Sequence, residues 1–143
     1  LGDEFTVHFM KDVYYGSHID STLVALKPGL LLANPARLSA DTIPPFLKQW
    51  EILFSPPMEN QDRYSAEYLQ QAIGSEWIDM NLFSLGPDTV VVDRDQTALI
   101  KLLESHQMEV IPLKLRHSRM MGGGFHCVTL DTRRRGKMES YFD

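Results

Sequence analysis

The chain has 143 residues, 43% hydrophobic and 23% charged, which is typical of one globular domain that can bury a core. Its 14 Lys and Arg residues are outnumbered by 19 Asp and Glu residues, and the net charge of -5 argues against a general nucleic-acid binder. The single cysteine excludes an intrachain disulfide and a cysteine-rich zinc site. Because no apolar run approaches the roughly 18 residues of a membrane helix and no signal peptide is visible, we expect a cytoplasmic protein without a membrane or nucleic-acid partner.

The first half of the chain predicts strands around a tight turn. Residues 6–15 are rich in aromatic and β-branched types and predict a strand. Two apolar runs within residues 21–33, separated by Lys27-Pro28-Gly29, predict a hairpin. A short helix over residues 44–50 and a strand over residues 51–54 are expected next.

The second half predicts the same kinds of element again. A helix over residues 64–73 precedes a second hairpin, whose turn contains Pro87. A further helix over residues 96–105 is expected to begin at a cap formed by Asp93 or Asp95. The remaining predicted strands cover residues 79–85, 89–92, 109–113 and 125–130, and the last of these contains the cysteine.

The two halves share the order strand, turn, strand, helix, strand, and the turn residues Pro28 and Pro87 lie 59 positions apart. This pattern predicts an internal structural repeat without a repeat of residue identities. Repeat units usually bury their faces against neighbouring copies, so two units predict an incomplete array. The alternative is an ordinary α+β domain with two similar hairpins.

Cys127 is a candidate nucleophile because of its surroundings in the sequence. An isolated cysteine is usually a small buried hydrophobic residue. Three glycines, Gly122-Gly123-Gly124, precede this one and permit a sharp bend or the close approach of a ligand. No Lys-Ser or Lys-Thr follows the glycines, which excludes a phosphate-binding loop of the Walker type.

A nucleophilic cysteine needs a base, and two histidines are candidates. His126 precedes Cys127, and neighbours in a strand point to opposite faces, so His18 is the better candidate. On an extended segment His18 and Asp20 would share one face while Ile19 turned to the core. A metal site formed by His18, Asp20 and His126 is the less favoured alternative.

Two sets of arginines have both a structural and a functional interpretation. Arg37 follows the turn Asn34-Pro35 and is either a solvated surface residue or a clamp for a substrate carboxylate. The basic cluster of Arg133, Arg134, Arg135 and Lys137 is interpreted as a solvated or ion-paired face, with nucleic-acid binding as the weaker alternative.

Three groups of residues resemble motifs of the amidinotransferases, and together they extend over nearly the whole chain. They are Gly123-Gly124-Phe125-His126-Cys127 followed by Asp131-Thr132-Arg133-Arg134-Arg135-Gly136, His18-Ile19-Asp20 followed by Asn34-Pro35-Ala36-Arg37, and Ser75-Glu76-Trp77 followed by Met80-Asn81. The resemblance implies an α/β fold, a five-bladed α/β propeller (pentein) of ββαβ modules. It further implies that residues 1–143 are the C-terminal part of one catalytic domain, with about two modules and the closing cysteine segment.

The resemblance also implies a reaction, the ping-pong transfer of an amidino group from L-arginine to an amine, with no cofactor and no metal. Cys127 would attack the guanidinium carbon, and His18 would protonate the departing ornithine and then deprotonate the acceptor. Asp20 would bind the guanidinium nitrogens, Arg37 would bind the substrate carboxylate, and Ser75 would contact the substrate.

The acceptor that the resemblance implies depends on Tyr15-Gly16-Ser17, which is similar to the cyanobacterial toxin-pathway members. Tyr15 and Ser17 are therefore expected to contact substrate. Ser17 and Gly74 are smaller than their counterparts in the vertebrate glycine enzyme, which predicts a larger acceptor, a secondary-metabolite amine of the saxitoxin or cylindrospermopsin type. The alternatives are a glycine amidinotransferase that makes guanidinoacetate, a guanidine hydrolase of the deiminase type, and a non-catalytic interaction module.

The resemblance carries two further expectations about the assembly. The full-length enzyme is expected to be a homodimer. Residues 1–143 alone are expected to be inactive, because further acidic groups of the family site would lie upstream of Leu1.

Overall fold

The computed structural model describes residues 2–3, 5–10, 18–59 and 64–137, and within them it has two three-stranded sheets. The first sheet contains β1 (Leu23–Lys27), β2 (Leu30–Ala33) and β3 (Glu51–Phe54), and the second contains β4 (Phe83–Ser84), β5 (Thr89–Asp93) and β6 (Glu109–Leu113). The helices are α1 (Ala66–Gln71), α2 (Thr97–Ser105) and α3 (Ser118–Met121), and 3-10 turns occur at Ile19–Ser21, Pro45–Leu47 and Ile78–Met80. None of the helices in these described ranges has the length and apolar character needed to cross a membrane.

The two sheets have the same topology, which confirms the predicted structural repeat. In module 1 (residues 23–54), β2 pairs antiparallel with β1 and parallel with β3. In module 2 (residues 83–113), β5 pairs antiparallel with β4 and parallel with β6. The parallel pair requires a crossover, which α2 supplies in module 2 and an irregular segment with the turn Pro45–Leu47 supplies in module 1.

The repeat also includes a few residue identities, which the sequence analysis missed. At the 59-residue offset, Ile19-Asp20 corresponds to Ile78-Asp79, and Leu23 corresponds to Leu82. Both Ile-Asp pairs lie in a 3-10 turn immediately before the first strand of a module, and these two turns contact each other. The chain segments that enter the two modules are therefore brought together.

β2 is the middle strand of the first sheet and is buried on both faces. Successive residues of a strand point to opposite sides, which explains why the continuous apolar run Leu30–Ala33 divides between two clusters. Leu30 and Leu32 pack in a core that joins both modules, whereas Leu31 and Ala33 pack in an outer core within module 1. The shared core also contains Val90, Val92, Leu99 and Leu103, and the outer core contains Leu38, Ile43 and Leu47.

Polar contacts join the modules at the edge of the shared core. The Lys27 ammonium donates a hydrogen bond to the His106 carbonyl at 3.2 Å, and His106 Nε2 lies 3.4 Å from a carboxylate oxygen of Glu51. His106 directly follows α2, so the end of the module 2 helix is attached to two strands of module 1.

The N-terminus of α2 is capped by a distant residue, and the predicted cap at Asp93 or Asp95 is wrong. Gln96 is the N-cap residue and makes no side-chain cap bond. Instead, the Glu59 carboxylate accepts hydrogen bonds from the Ala98 N–H at 2.8 Å and from the Thr97 hydroxyl at 2.9 Å. The Ala98 N–H, followed by the Thr97 hydroxyl, holds the pKa of Glu59 below its usual value.

Three predicted strands differ from the structure. Residues 6–10 have no regular structure, and residues 11–15 lie outside the described part of the chain. The second hairpin begins with a strand of only two residues, because residues 78–80 form a 3-10 turn. Residues 125–128 form a turn instead of the predicted strand, since their backbone bonds to the loop at Asn81 and makes no sheet ladder.

Candidate active site

The structure places the side chains of His18 and Cys127 next to each other although 109 positions separate them in the sequence. Cys127 Sγ and His18 Nδ1 lie 3.5 Å apart, and both residues are exposed. His18 has an extended backbone and directly precedes the turn Ile19–Ser21, which leads into β1. The pair therefore joins the entry of module 1 to the segment that follows module 2.

Asp20 completes a group of three side chains. The ligand atoms of His18, Asp20 and Cys127 all lie within 4.8 Å of one another. The predicted extended backbone at these residues is wrong. Ile19 begins a 3-10 turn, and its side chain is 58% exposed instead of pointing to the core. The tight turn, and not an extended strand, aims the imidazole and the carboxylate at one place.

The two carboxylate oxygens of Asp20 have different surroundings. Oδ2 lies 3.2 Å from Nδ1 of His126, so His126 contacts Asp20 and not the sulfur next to it in the chain. Oδ1 is buried and has no hydrogen-bond partner among the described residues. A buried carboxylate oxygen without a donor is costly, which marks this atom as a place for a ligand that donates hydrogen bonds.

Glycine is required at two of the three positions before Cys127, for a different reason at each. Gly122 ends α3 with φ +67°, a left-handed conformation that favours glycine. Gly124 lies against Asn81, and a Cβ at this position would be 2.5 Å from the Asn81 carbonyl oxygen. The glycines therefore let the chain leave α3 and pass directly over the loop that precedes β4.

Asn81 lies at this site without a predicted role. It is 1% exposed, its Oδ1 accepts a hydrogen bond from the Cys127 N–H at 3.0 Å, and its Nδ2 donates to Cys127 Sγ at 3.2 Å. The available signals were its place in the Met80-Asn81 motif and at the end of the repeated Ile-Asp turn. Neither signal identifies a contact with a residue 46 positions away.

Arg37 and Ser75 are brought together at the same pair of turns. One Arg37 nitrogen, Nη1, donates to Ser21 Oγ at 2.9 Å and to Thr22 Oγ1 at 2.8 Å. The other, Nη2, lies 3.4 Å from Ser75 Oγ. Ser21 Oγ in turn donates to the His18 carbonyl at 3.1 Å, so the guanidinium is attached to the turn that carries the histidine.

The remaining predicted site residues have other outcomes. Tyr15 and Ser17 lie outside the described residues. The space predicted for an acceptor at Gly74 is absent, because a Cβ at Gly74 would be 2.7 Å from the Arg119 carbonyl oxygen. The Gly74 N–H donates to that same oxygen at 2.8 Å, so glycine is required here for packing against α3 and not for an open pocket.

A small cleft opens beside the site, between β1 and β4. Its volume of about 340 Å³ lies at the lower end of the range for ligand pockets, and its walls include Asp20, Val24, Phe83 and His126. The carboxylate side of the site is thus accessible to a small molecule from this direction.

The grouped side chains suit two kinds of chemistry. A thiol beside an imidazole, with a carboxylate nearby, can form and break bonds to an electrophilic carbon. The same thiolate, imidazole and carboxylate are also zinc ligands. The metal alternative in the sequence analysis included His126, whereas the structure groups Cys127 with His18 and Asp20.

No protein-family model matches the chain. It is 46% identical over 141 residues to inosamine-phosphate amidinotransferase 1 of Streptomyces glaucescens, covering 99% of this chain and 39% of that protein. The solved structure of inosamine-phosphate amidinotransferase from Streptomyces griseus matches with a TM-score of 0.89 and 48% identity, over 99% of this chain and 40% of that one. An amidinotransferase of the saxitoxin biosynthetic pathway from Microseira wollei matches with a TM-score of 0.78 and 35% identity, over 89% and 34%. The chain thus spans two fifths or less of the length of each of these relatives.

Proposed function

We propose that this chain, which belongs to the amidinotransferase family, forms part of the active site of an enzyme that moves the amidino group of L-arginine to an amine. The observation that carries the proposal is the 3.5 Å approach of Cys127 Sγ and His18 Nδ1 beside Asp20. Because the chain covers 39% of a relative, we further propose that it is the C-terminal part of a longer catalytic domain. Modules 1 and 2 would then be two blades of a five-bladed ring.

The proposed reaction has two halves, and His18 moves a proton in each. In the first, the Cys127 thiolate attacks the guanidinium carbon of arginine, the bond from that carbon to the ornithine nitrogen breaks, and His18 gives its proton to the departing amine. In the second, His18 takes a proton from the acceptor amine, whose nitrogen attacks the same carbon. The carbon–sulfur bond then breaks, and its electron pair returns to Cys127 as a thiolate.

Arginine would be held at both ends. The buried Asp20 Oδ1 has no donor among the described residues, and a guanidinium nitrogen is a charge-assisted donor that satisfies it. Arg37 and Ser75 lie at the neighbouring turn and would bind the α-carboxylate. These contacts would fix the guanidinium carbon in front of the sulfur, which is the main function of such contacts in group transfer.

We propose a secondary-metabolite amine larger than glycine as the acceptor. The support is the similarity to relatives named for inosamine-phosphate and for the saxitoxin pathway, together with Tyr15 and Ser17. Gly74 does not support a larger acceptor, since it packs against Arg119. A panel of amines should give higher kcat/KM for a functionalised amine than for glycine, and a clear preference for glycine would favour the glycine amidinotransferase alternative.

The test of the transfer chemistry is to incubate the full-length protein with arginine and no acceptor. We expect one amidino group on the peptide that carries Cys127, with release of one equivalent of ornithine, and no adduct in Cys127→Ser. Release of citrulline would indicate a guanidine hydrolase, and an adduct at another residue would contradict the assignment of the nucleophile. The activity should persist after treatment with a chelator, since no step uses a metal.

A further inference from the structure

Asn81 touches the sulfur of Cys127, yet the proposed reaction gives it no role. It directly follows the turn Ile78–Met80, whose end residues are 2% and 1% exposed, so its backbone is fixed in the core. The Asn81 carbonyl also accepts a hydrogen bond from the His126 N–H at 3.3 Å. The cysteine segment is therefore attached to Asn81 by both backbone and side-chain contacts.

The orientation of the Asn81 amide follows from its partners. The Cys127 N–H can only donate, so the side-chain atom that faces it at 3.0 Å must be the oxygen Oδ1. Because the amide is planar, Nδ2 is then turned toward Cys127 Sγ, 3.2 Å away. The contact with the backbone thus forces a hydrogen-bond donor onto the sulfur.

Gly124 allows the segment that contains Cys127 to approach Asn81 closely. A Cβ at Gly124 would lie 2.6 Å from Asn81 Cβ and 2.8 Å from Oδ1, distances that no other residue type tolerates. The absence of a side chain at residue 124 lets the amide reach residue 127. A contact that requires a glycine at one position and a buried amide at another is a specific arrangement.

We propose that Asn81 is a catalytic residue that stabilises the thiolate of Cys127 and holds it toward His18. A donor to sulfur stabilises negative charge there, both when the thiolate attacks arginine and when it leaves the acceptor product. Among the residues that the structure describes, the titratable groups that face the sulfur are His18 at 3.5 Å and Asp20 within 4.8 Å, while the His126 ring bonds to Asp20. The inference rests on the proposed function only in that Cys127 is the nucleophile.

The experiment measures the alkylation of Cys127 by iodoacetamide as a function of pH in the full-length protein, read on the peptide that carries this residue. Asn81→Asp keeps the shape and the acceptor for the Cys127 N–H but replaces the donor with a carboxylate oxygen. We expect alkylation at pH 7 to slow roughly tenfold or more, because the thiolate loses a hydrogen-bond donor and gains a negatively charged neighbour. The midpoint of the alkylation profile should move to higher pH, and kcat/KM for arginine should fall roughly 100-fold.

Gln96→Glu is the matched control. Gln96 is also buried, and its side-chain amide accepts a hydrogen bond from the Glu59 N–H and donates one to the Glu59 carbonyl, so the substitution likewise replaces a donor with a carboxylate oxygen. The alkylation profile of Cys127 in Gln96→Glu should equal that of the unsubstituted protein. If Asn81→Asp does not fold, Asn81→Ala removes the same donor without adding charge and should slow alkylation in the same direction.

Two results would overturn the inference. One is an alkylation profile that does not change when the Asn81 donor is removed, and the other is an equal change in Gln96→Glu. The proposed function has a separate readout, because full transfer activity in Cys127→Ser would refute the nucleophile while leaving the effect of Asn81 on alkylation measurable.

Discussion

Modules 1 and 2 share a topology and a 59-residue offset, so equivalent positions can be compared directly. Asn34 and Asp93 are equivalent, and each uses its Oδ1 to accept a hydrogen bond from the N–H two residues later, at 2.9 Å in both cases. Both are nearly fully buried. The turn that follows the central strand is thus preserved although one residue is an amide and the other an acid, which shows that the turn belongs to the scaffold.

Other equivalent positions differ in what they hold. Thr22 and Asn81 each follow a 3-10 turn and are buried, but Thr22 accepts a hydrogen bond from Arg37 whereas Asn81 bonds to Cys127. Arg37 in module 1 corresponds to Gln96 in module 2, where the side chain instead bonds to the backbone of Glu59. The same scaffold position thus holds the guanidinium proposed to bind substrate in module 1, and in module 2 an amide that bonds to the backbone of Glu59, the residue that caps α2.

The sharpest contrast concerns the two histidines near the sulfur. His18→Ala should reduce the transfer rate by roughly 10²–10⁴-fold, because it removes the proposed acid and base. His126→Ala should cost far less, because His126 contacts only Asp20 in this group. Single-turnover rates with arginine measure both variants. Equal losses of rate in the two variants would contradict the assignment of His18 as the acid and base.

The shared core and the outer core can be compared with one type of substitution. Leu103→Ala should lower the free energy of unfolding by roughly 3–5 kcal/mol, because Leu103 is fully buried in the cluster that joins the modules. Leu47→Ala in the outer core should lower the free energy of unfolding by only about 2 kcal/mol, since Leu47 is 6% exposed and its surroundings are irregular. Urea unfolding checks both values. A larger loss at Leu47 would show that module 1 depends on its irregular crossover more than on the shared core.

Thr22→Val tests whether Thr22 contributes to the proposed binding of arginine by holding the guanidinium of Arg37 in place. The substitution preserves shape but removes an acceptor of the guanidinium, so KM for arginine should rise roughly fivefold, the equivalent of about 1 kcal/mol, with little change in kcat. Thr89→Val is the control, because the Thr89 hydroxyl bonds to Glu109 at the surface of module 2. A fall in kcat with unchanged KM would contradict a binding role.

The smallest effect is expected at the helix cap of module 2. Glu59→Gln keeps an acceptor but removes the charge at the N-terminus of α2, so Tm at pH 7 should fall slightly. The pKa of Glu59 is lowered in the folded state, so its contribution is present above the ordinary value of 4.5 and is lost as the pH falls through the lower folded value. The difference in Tm should therefore shrink in acid. Glu104→Gln, near the other end of the helix, should show no such loss.

The sequence predicted the elements that local pattern determines. β2, β3, β6 and α2 were located nearly residue by residue, because apolar runs of the right period end at proline, glycine or polar residues. The failures depend on distant contacts. The Glu59 cap lies 39 positions before Ala98, and residues 125–128 turn because they bond to Asn81.

The residues of the candidate site also divide into those that the sequence could predict and those that depend on distant contacts. Cys127 and His18 could be proposed from residue type and from the family resemblance, but no periodicity relates positions 109 apart. The Arg37–Ser75 pair likewise came from the resemblance, and the structure supplies the distance between them. Asn81 could not be assigned a role, because a buried asparagine becomes informative only when its partners are known.

The long separation between His18 and Cys127 has a consequence for the order of folding. Each hairpin closes over a few residues, whereas the contact between these two side chains closes most of the chain. Contacts between residues distant in sequence carry a larger loop-closure entropy and tend to form late. The two modules must also dock before Asn81 and the turn at His18 can meet the cysteine segment. During refolding, catalytic competence should therefore appear after the recovery of secondary structure, which makes the reactivity of Cys127 a reporter of the last step of assembly.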